Sequence, residues 1–166
     1  NDLCMGSARL SIIGKSQGRQ PLQENNRALI FNGEIYNFQQ VSNNNKCSSD
    51  TKVLFDLLSK RGIGILNELN GMFAFCFVDT KNIYLVRDRF GEKPLYYTFN
   101  NNKLFFSSEI KSFLEIIKLQ LSLPTYYPLL ETAIGKDTIF KDVFQLEQGH
   151  FLKVSRGNKR VENIKY

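Results

Sequence analysis

Apolar positions between residues 71 and 80, GMFAFCFVDT, fall into two alternating sets. Phe73, Phe75 and Phe77 share one side of an extended chain, and Met72, Ala74, Cys76 and Val78 share the other. Both sides are apolar, which predicts a strand covered on both faces. Two earlier runs, ARLSIIG (8–14) and RALIFNG (27–33), are β-branched or apolar and close on glycine. The loop-forming residues of KSQGRQPLQENN separate them, so two strands joined by a loop are predicted.

The period changes at SSDTKVLFDLLSKRG (48–62). Val53, Leu54, Leu57 and Leu58 share one helical face, Ser49 or Asp50 can cap the start, and Lys60, Arg61 and Gly62 end it. NIYLVRD (82–88) is expected to pair with the 71–80 strand after a short turn, and PLYYTFNNNKLFFSS (94–108) reads as a hairpin about residues 100–102. The spacing of Ile110, Phe113, Leu114 and Ile117 predicts a second amphipathic helix. LSLPTYYPLLETAIGKD (121–137) is irregular, and strand character resumes in TIFKDVFQLEQGHFLKV (138–154). Strands in consecutive runs, with helices between the runs, argue for an α+β fold of packed antiparallel sheets rather than alternating βαβ units.

A chain of 166 residues with 42% hydrophobic and 13% aromatic content can bury one sizeable core, and one domain over residues 1–166 is expected. No apolar run is long enough to span a membrane, and the start carries no basic, apolar-cored signal peptide, so the expectation is a cytoplasmic protein with no membrane partner. The net charge of +6 is scattered; the one basic cluster, RGNKR (156–160), reads as a polar turn, and no nucleic-acid partner is expected. Cys4, Cys47 and Cys76 are odd in number and widely spaced, which supports neither a disulfide framework nor a zinc site, and His150 alone cannot anchor a metal.

Several segments together carry a family resemblance. Arg9 in ARLSII, then GRQPL, FNGEIYNF, SDTKVL, LNGMFAFCFVD, VRDRFGEKPLYY, SSEIKSFL and TIFKDVFQLEQGHFL, occur in the order of the glutaminase domain of asparagine synthetase-like class II glutamine amidotransferases. The chain resembles that branch, with NGEIYN, rather than the glucosamine-phosphate synthases, whose corresponding stretch looks like NGIIEN. The resemblance implies the four-layer αββα sandwich of N-terminal-nucleophile hydrolases, built on two packed, mainly antiparallel sheets. It also implies hydrolysis of L-glutamine to glutamate and ammonia, the ammonia serving ATP-dependent amidation of a carboxylate such as aspartate or a sugar acid.

FNGEIYN (31–37) is where that chemistry is expected to sit. A thiolate attacking the glutamine amide creates a tetrahedral oxyanion, which needs donors aimed at it. The Asn32 side-chain amide and the Gly33 backbone N–H can supply them, and the absence of a Gly33 side chain would let substrate approach the main chain. Glu34 fits a role in orienting the substrate amine. Asn-Gly is also a common turn pair. The Arg9 guanidinium can grip the glutamine α-carboxylate with two parallel hydrogen bonds, although an ordinary surface arginine would look the same. Asp50 can hold the substrate ammonium, cap the helix, or do both. Arg87, Asp88 and Arg89 are read as a mainly structural charged turn, and His150 as a loop residue.

Family members begin with a cysteine whose thiol attacks glutamine and whose α-amine is the base, whereas this sequence begins with Asn1. Cys4 is expected in the strand leading to Arg9. An offset of five residues would put the two side chains on opposite faces, roughly 16 Å apart. By resemblance, a few tens of residues carrying the cysteine precede Asn1, the span 38–47 is shorter than the family pattern, and the synthetase half is absent after Tyr166. The chain by itself is therefore expected to be inactive. The partners implied are L-glutamine and a synthetase domain or subunit, with a homodimer left open. No cofactor is expected in this domain, and ATP and Mg²⁺ are expected in the synthetase half. A second reading is a non-catalytic glutaminase-like scaffold, as in relatives similar to β-lactam synthetases.

Overall fold

The computed structural model describes residues 3–7, 20–42, 49–123 and 135–166. Within them run β1 (Leu22–Glu24), β2 (Arg27–Ile35), α1 (Phe38–Ser42), α2 (Asp50–Arg61), β3 (Gly71–Val78), β4 (Asn82–Arg87), β5 (Tyr96–Asn100), β6 (Lys103–Ser107), β7 (Val143–Gln145), β8 (His150–Ser155) and β9 (Val161–Lys165). Two short 3-10 helices, Ile63–Glu68 and Ile110–Phe113, complete the list of described elements. The strands form two antiparallel sheets, one of six strands in the order β1-β2-β3-β4-β8-β9 and one of three in the order β6-β5-β7.

β3 explains how the layers stack. Its Phe73, Phe75 and Phe77 join Leu54, Phe55 and Leu58 of α2 in one core, while Ala74, Cys76 and Val78 join Leu95, Tyr97 and Leu146 in a second core against the small sheet. The six-stranded sheet is thus sandwiched between α2 and the three-stranded sheet, as the alternation in residues 71–80 predicts. Each fully buried phenylalanine contributes about 1.5–3 kcal/mol relative to an exposed one.

α2 starts and stops where its sequence dictates. The Ser49 side chain accepts from the Lys52 N–H, Asp50 sits in the first turn, Lys60 and Arg61 lie in the last, and Gly62, at φ +71°, donates its N–H to the Leu58 carbonyl. The hairpin about residues 100–102 is also present: Asn101 and Asn102 adopt φ of +49° and +59° in the two-residue turn between β5 and β6.

Two expectations need correction. The second amphipathic helix is only the 3-10 helix Ile110–Phe113 followed by turns. Phe113 reaches the interior at 1% exposure, whereas Leu114 is 62% exposed, so among the described residues the apolar stripe has no continuous surface to bury against. Most bonds here run three residues apart, from Ser112 N–H to Glu109, Leu114 N–H to Lys111 and Ile116 N–H to Phe113; Ile117 N–H to Phe113 spans four, and the Asn100 side chain donates to the Ile116 carbonyl. Cys4 was expected in a strand, but residues 3–7 have no regular structure. The strand expected over residues 8–14 lies outside the described residues.

Candidate functional site

β2 changes character halfway along. Leu29, Phe31 and Ile35 face the core beneath α2, and Ala28 and Ile30 face the small sheet. Asn32 and Glu34 continue this second face, and they border a cleft of about 690 Å³ instead of apolar packing. Gly33, Asp50, Ala74, Cys76 and, across the opening, Ser108 also line that cleft. Four of the five site residues expected from the sequence, Asn32, Gly33, Glu34 and Asp50, therefore meet at one cavity. The fifth, Arg9, lies outside the described residues.

Past β1, no described strand covers the outer edge of β2, and side chains manage that edge residue by residue. β1 pairs with it only from Arg27 to Leu29. Beyond that, the Gln20 side-chain amide donates to the Phe31 carbonyl and accepts from the Phe31 N–H, both at 2.7 Å. Two residues after Gly33, the Ile35 N–H donates to Asp50 Oδ2 at 3.3 Å. Main-chain groups alternate sides along a strand, so the Gly33 N–H falls on this same edge, between two N–H groups that side chains already satisfy. It borders the cleft.

Glycine at position 33 has a steric reason beyond the expected one. Its φ is +133°, and a Cβ there would lie 2.0 Å from the Met72 carbonyl oxygen and 2.8 Å from the Phe73 Cα. Gly71, paired with Ile35, crowds β2 in the same way, since a Cβ there would lie 2.2 Å from the Glu34 carbonyl oxygen. The missing side chains let β2 and β3 approach each other, which shapes the turn of the main chain at the cleft.

Asp50 is 5% exposed, and both of its oxygens are engaged: Oδ2 by Ile35, and Oδ1 by the Thr51 N–H at 2.7 Å and the Thr51 hydroxyl at 3.4 Å. Ser49 rather than Asp50 supplies the N-cap bond of α2. Asp50 places a carboxylate at the helix start, and the residue lines the cleft. The Asn32 amide nitrogen donates to the Ser108 hydroxyl at 3.4 Å, linking the large sheet to the loop after β6. Among the described residues the lysines bordering the cleft are Lys93 and Lys111, and Lys111 pairs with Glu109 at 2.6 Å.

The RDR turn holds the wall beside Lys93. Asp88, 0% exposed, accepts from the N–H groups of Phe73, Phe90, Glu92 and Lys93. Arg87 donates to the carbonyls of Lys93, Leu146 and Gly91, and its burial lowers its affinity for a proton. Arg89 donates to the carbonyls of Leu69, Leu66 and Asn67. All three act on backbone, as a structural turn requires. His150 opens β8, with Nδ1 2.9 Å from the Gln148 carbonyl oxygen, and does not border the cleft.

Cys76 lies on the cleft floor but is 1% exposed, and burial pushes its thiol far above the ordinary range. A nucleophilic cysteine needs the opposite shift. Cys4 is exposed and borders an adjoining cavity of about 180 Å³ rather than the cleft itself. Cys47 lies outside the described residues. Among the described residues no group of histidine, cysteine or carboxylate side chains is placed to hold a metal, and no helix is long and apolar enough to cross a membrane.

Sequence reasoning left two cleft residues without a role. Gln20 and Ser108 lie inside GRQPL and SSEIKSFL, and only the fold brings them to Phe31 and Asn32.

Known proteins match this chain in both sequence and fold. The sequence profile of the family described as "Glutamine amidotransferase domain" matches residues 1–166. The putative asparagine synthetase [glutamine-hydrolyzing] 2 of Methanocaldococcus jannaschii is 33% identical over 191 aligned positions, covering 98% of this chain and 37% of that protein. That alignment is longer than the 166-residue chain, so gaps fall within this sequence. The asparagine synthetase [glutamine-hydrolyzing] 2 of Bacillus subtilis is 34% identical over 176 positions, covering 95% of this chain and 24% of that protein. The chain thus spans well under half the length of these relatives. Among solved structures, the glutamine phosphoribosylpyrophosphate amidotransferase of B. subtilis superposes with a TM-score of 0.61 at 21% identity, over 90% of this chain and 32% of that one. A glutamine aminotransferase class-II domain protein of Silicibacter pomeroyi superposes at 0.53 and 15% identity, over 90% of this chain and 71% of that one.

Proposed function

The chain belongs to the glutamine amidotransferase domain family, and on that premise we propose that it forms the pocket in which L-glutamine is hydrolysed to glutamate and ammonia. The ammonia serves ATP-dependent amidation of a carboxylate, aspartate being the acceptor that the names of its relatives suggest. The observation that carries this reading is the convergence of Asn32, Gly33, Glu34 and Asp50 on one cleft, with the Gly33 N–H on the free edge of β2.

The chemistry divides among these residues. A thiolate adds to the side-chain carbonyl carbon of glutamine, and the oxygen takes up the negative charge. The Asn32 amide and the Gly33 N–H stabilise that oxyanion, each worth about 3 kcal/mol of barrier. Collapse of the intermediate breaks the C–N bond, the departing nitrogen takes up the proton that the thiol gave to its base and leaves as ammonia, and water then hydrolyses the thioester to glutamate and free thiol. Asp50 and Glu34 bind and orient the substrate ammonium, and Arg9 takes its α-carboxylate.

Neither Cys76, buried with its thiol pushed up, nor Cys4, outside the cleft, suits the nucleophile's part. The family resemblance puts the nucleophile at the start of the mature chain, so we assign that part to a cysteine of the encoded protein outside these 166 residues rather than to Cys47, and the chain alone is then inactive. ATP and Mg²⁺ act in a synthetase half, and this domain holds no cofactor of its own. The span 38–47 is where we place part of the alignment gap.

The test is to incubate the full encoded protein with L-glutamine and measure glutamate release. The reading expects release that depends on Arg9 and Asn32. A folded full-length protein that binds no glutamine and releases no glutamate would favour the scaffold reading.

A further inference from the structure

We propose that Ser108 is a positioning residue for the Asn32 carboxamide, an inference that rests on the oxyanion role given to Asn32. Asn32 is exposed, at a point where β2 has left the apolar core, and its one hydrogen bond to another side chain among the described residues is the 3.4 Å contact to the Ser108 hydroxyl. An exposed asparagine without such a tether samples several χ1 rotamers and a broad χ2. A donor that must meet an oxyanion at the moment it forms gains from being fixed beforehand.

The loop carrying Ser108 is itself held in place. Ser107, the last residue of β6, accepts from the Glu109 N–H at 3.1 Å and donates to the Ser112 hydroxyl at 2.9 Å. Tyr96 of β5 pairs with Ser107 in the small sheet. Ser108 is thus presented by one sheet to an amide carried by the other, across the cleft that both border. A carboxamide nitrogen carries two N–H groups. Engaging one with Ser108 fixes the plane of the amide and leaves the other for substrate.

The chemistry requires Ser108 to act only through Asn32, which a double-mutant cycle on the full encoded protein can decide. Ser108→Ala is expected to lower kcat for glutamine about five- to tenfold, the size of one ordinary hydrogen bond, with little change in KM and in thermal midpoint. Ser108→Thr, which keeps the hydroxyl, should recover most of the loss. In the Asn32→Ala background, Ser108→Ala should cost nothing further. A full additional loss in that background, or wild-type kcat in Ser108→Ala alone, would overturn the proposal. If Asn32→Ala itself leaves turnover unchanged, the oxyanion reading fails instead. Side-chain ¹⁵N relaxation of the Asn32 amide then still decides the positioning claim: the claim stands if Ser108→Ala loosens the amide and Ser108→Thr restores it, and fails if Ser108→Ala leaves it ordered.

Discussion

The main-chain N–H of Ile35 donates to Asp50 Oδ2 at 3.3 Å, which ties the end of β2 to the start of α2 beside the cleft. Asp50 can therefore serve structure and substrate at once, and the two roles separate by substitution. Asp50→Asn keeps an acceptor for part of this network and removes the charge. It is expected to raise KM for glutamine by about 10- to 100-fold, the scale of a charge-assisted hydrogen bond. Asp50→Ala also strips the Ile35 and Thr51 N–H groups of their partner and should cost about 1–3 kcal/mol of stability each in urea unfolding. An unchanged KM in Asp50→Asn would remove Asp50 from the ammonium site.

Gly33→Ala should unfold the protein more readily whatever its effect on activity. The added Cβ would stand 2.0 Å from the Met72 carbonyl oxygen, and the φ of +133° is one that alanine rarely adopts. The expected loss is about 3 kcal/mol or more, read as a lower urea midpoint. Wild-type stability in Gly33→Ala would mean that β2 and β3 do not approach each other as described.

Asp88→Asn tests the RDR turn. Oδ1 accepts from Phe90 and Glu92, and Oδ2 from Phe73 and Lys93, so either orientation of the new amide points its NH₂ at N–H donors. A loss of about 2–3 kcal/mol is expected from two donors, buried or part-buried, left unpaired. A loss well under 1 kcal/mol would contradict the network.

Much of this arrangement was legible in the chain because it is local or periodic. The two faces of residues 71–80, the Asn-rich hairpin between β5 and β6, and the Ser49-to-Gly62 limits of α2 each follow from side-chain period or turn chemistry. The 3-10 helix at Ile110 was not legible, because the same spacing fits an α-helix, and what decides against one is that no described residue buries Leu114. The reason for Gly33 was hidden as well, since the atoms that exclude a Cβ belong to β3, about forty residues on. Ser108 carries no signal until two sheets bring it to a residue 76 positions away.

Thiol labelling of the chain under native conditions should modify Cys4 and spare Cys76. Burial disfavours the anion, which raises the Cys76 pKa and lowers the thiolate fraction at every working pH, so raising the pH from 7 to 9 should not expose it. Cys76 should react only once urea opens the core. Alkylation of native Cys76 at the rate of Cys4 would reopen Cys76 as a nucleophile.

The central claim is that Asn32 and Gly33 form an oxyanion hole on the free edge of β2, and Asn32→Ala in the full encoded protein tests it most directly. Glutamine turnover, synthesis from added ammonia and thermal midpoint are measured on one preparation. Turnover is expected to fall about 100-fold or more, because the interaction exists only in the transition state. Ammonia-dependent synthesis bypasses this pocket and should survive, and the midpoint should hold because Asn32 is exposed and adds little to the core. Turnover near wild type would contradict the oxyanion role. A joint collapse of turnover and midpoint would instead make Asn32 part of a structural turn.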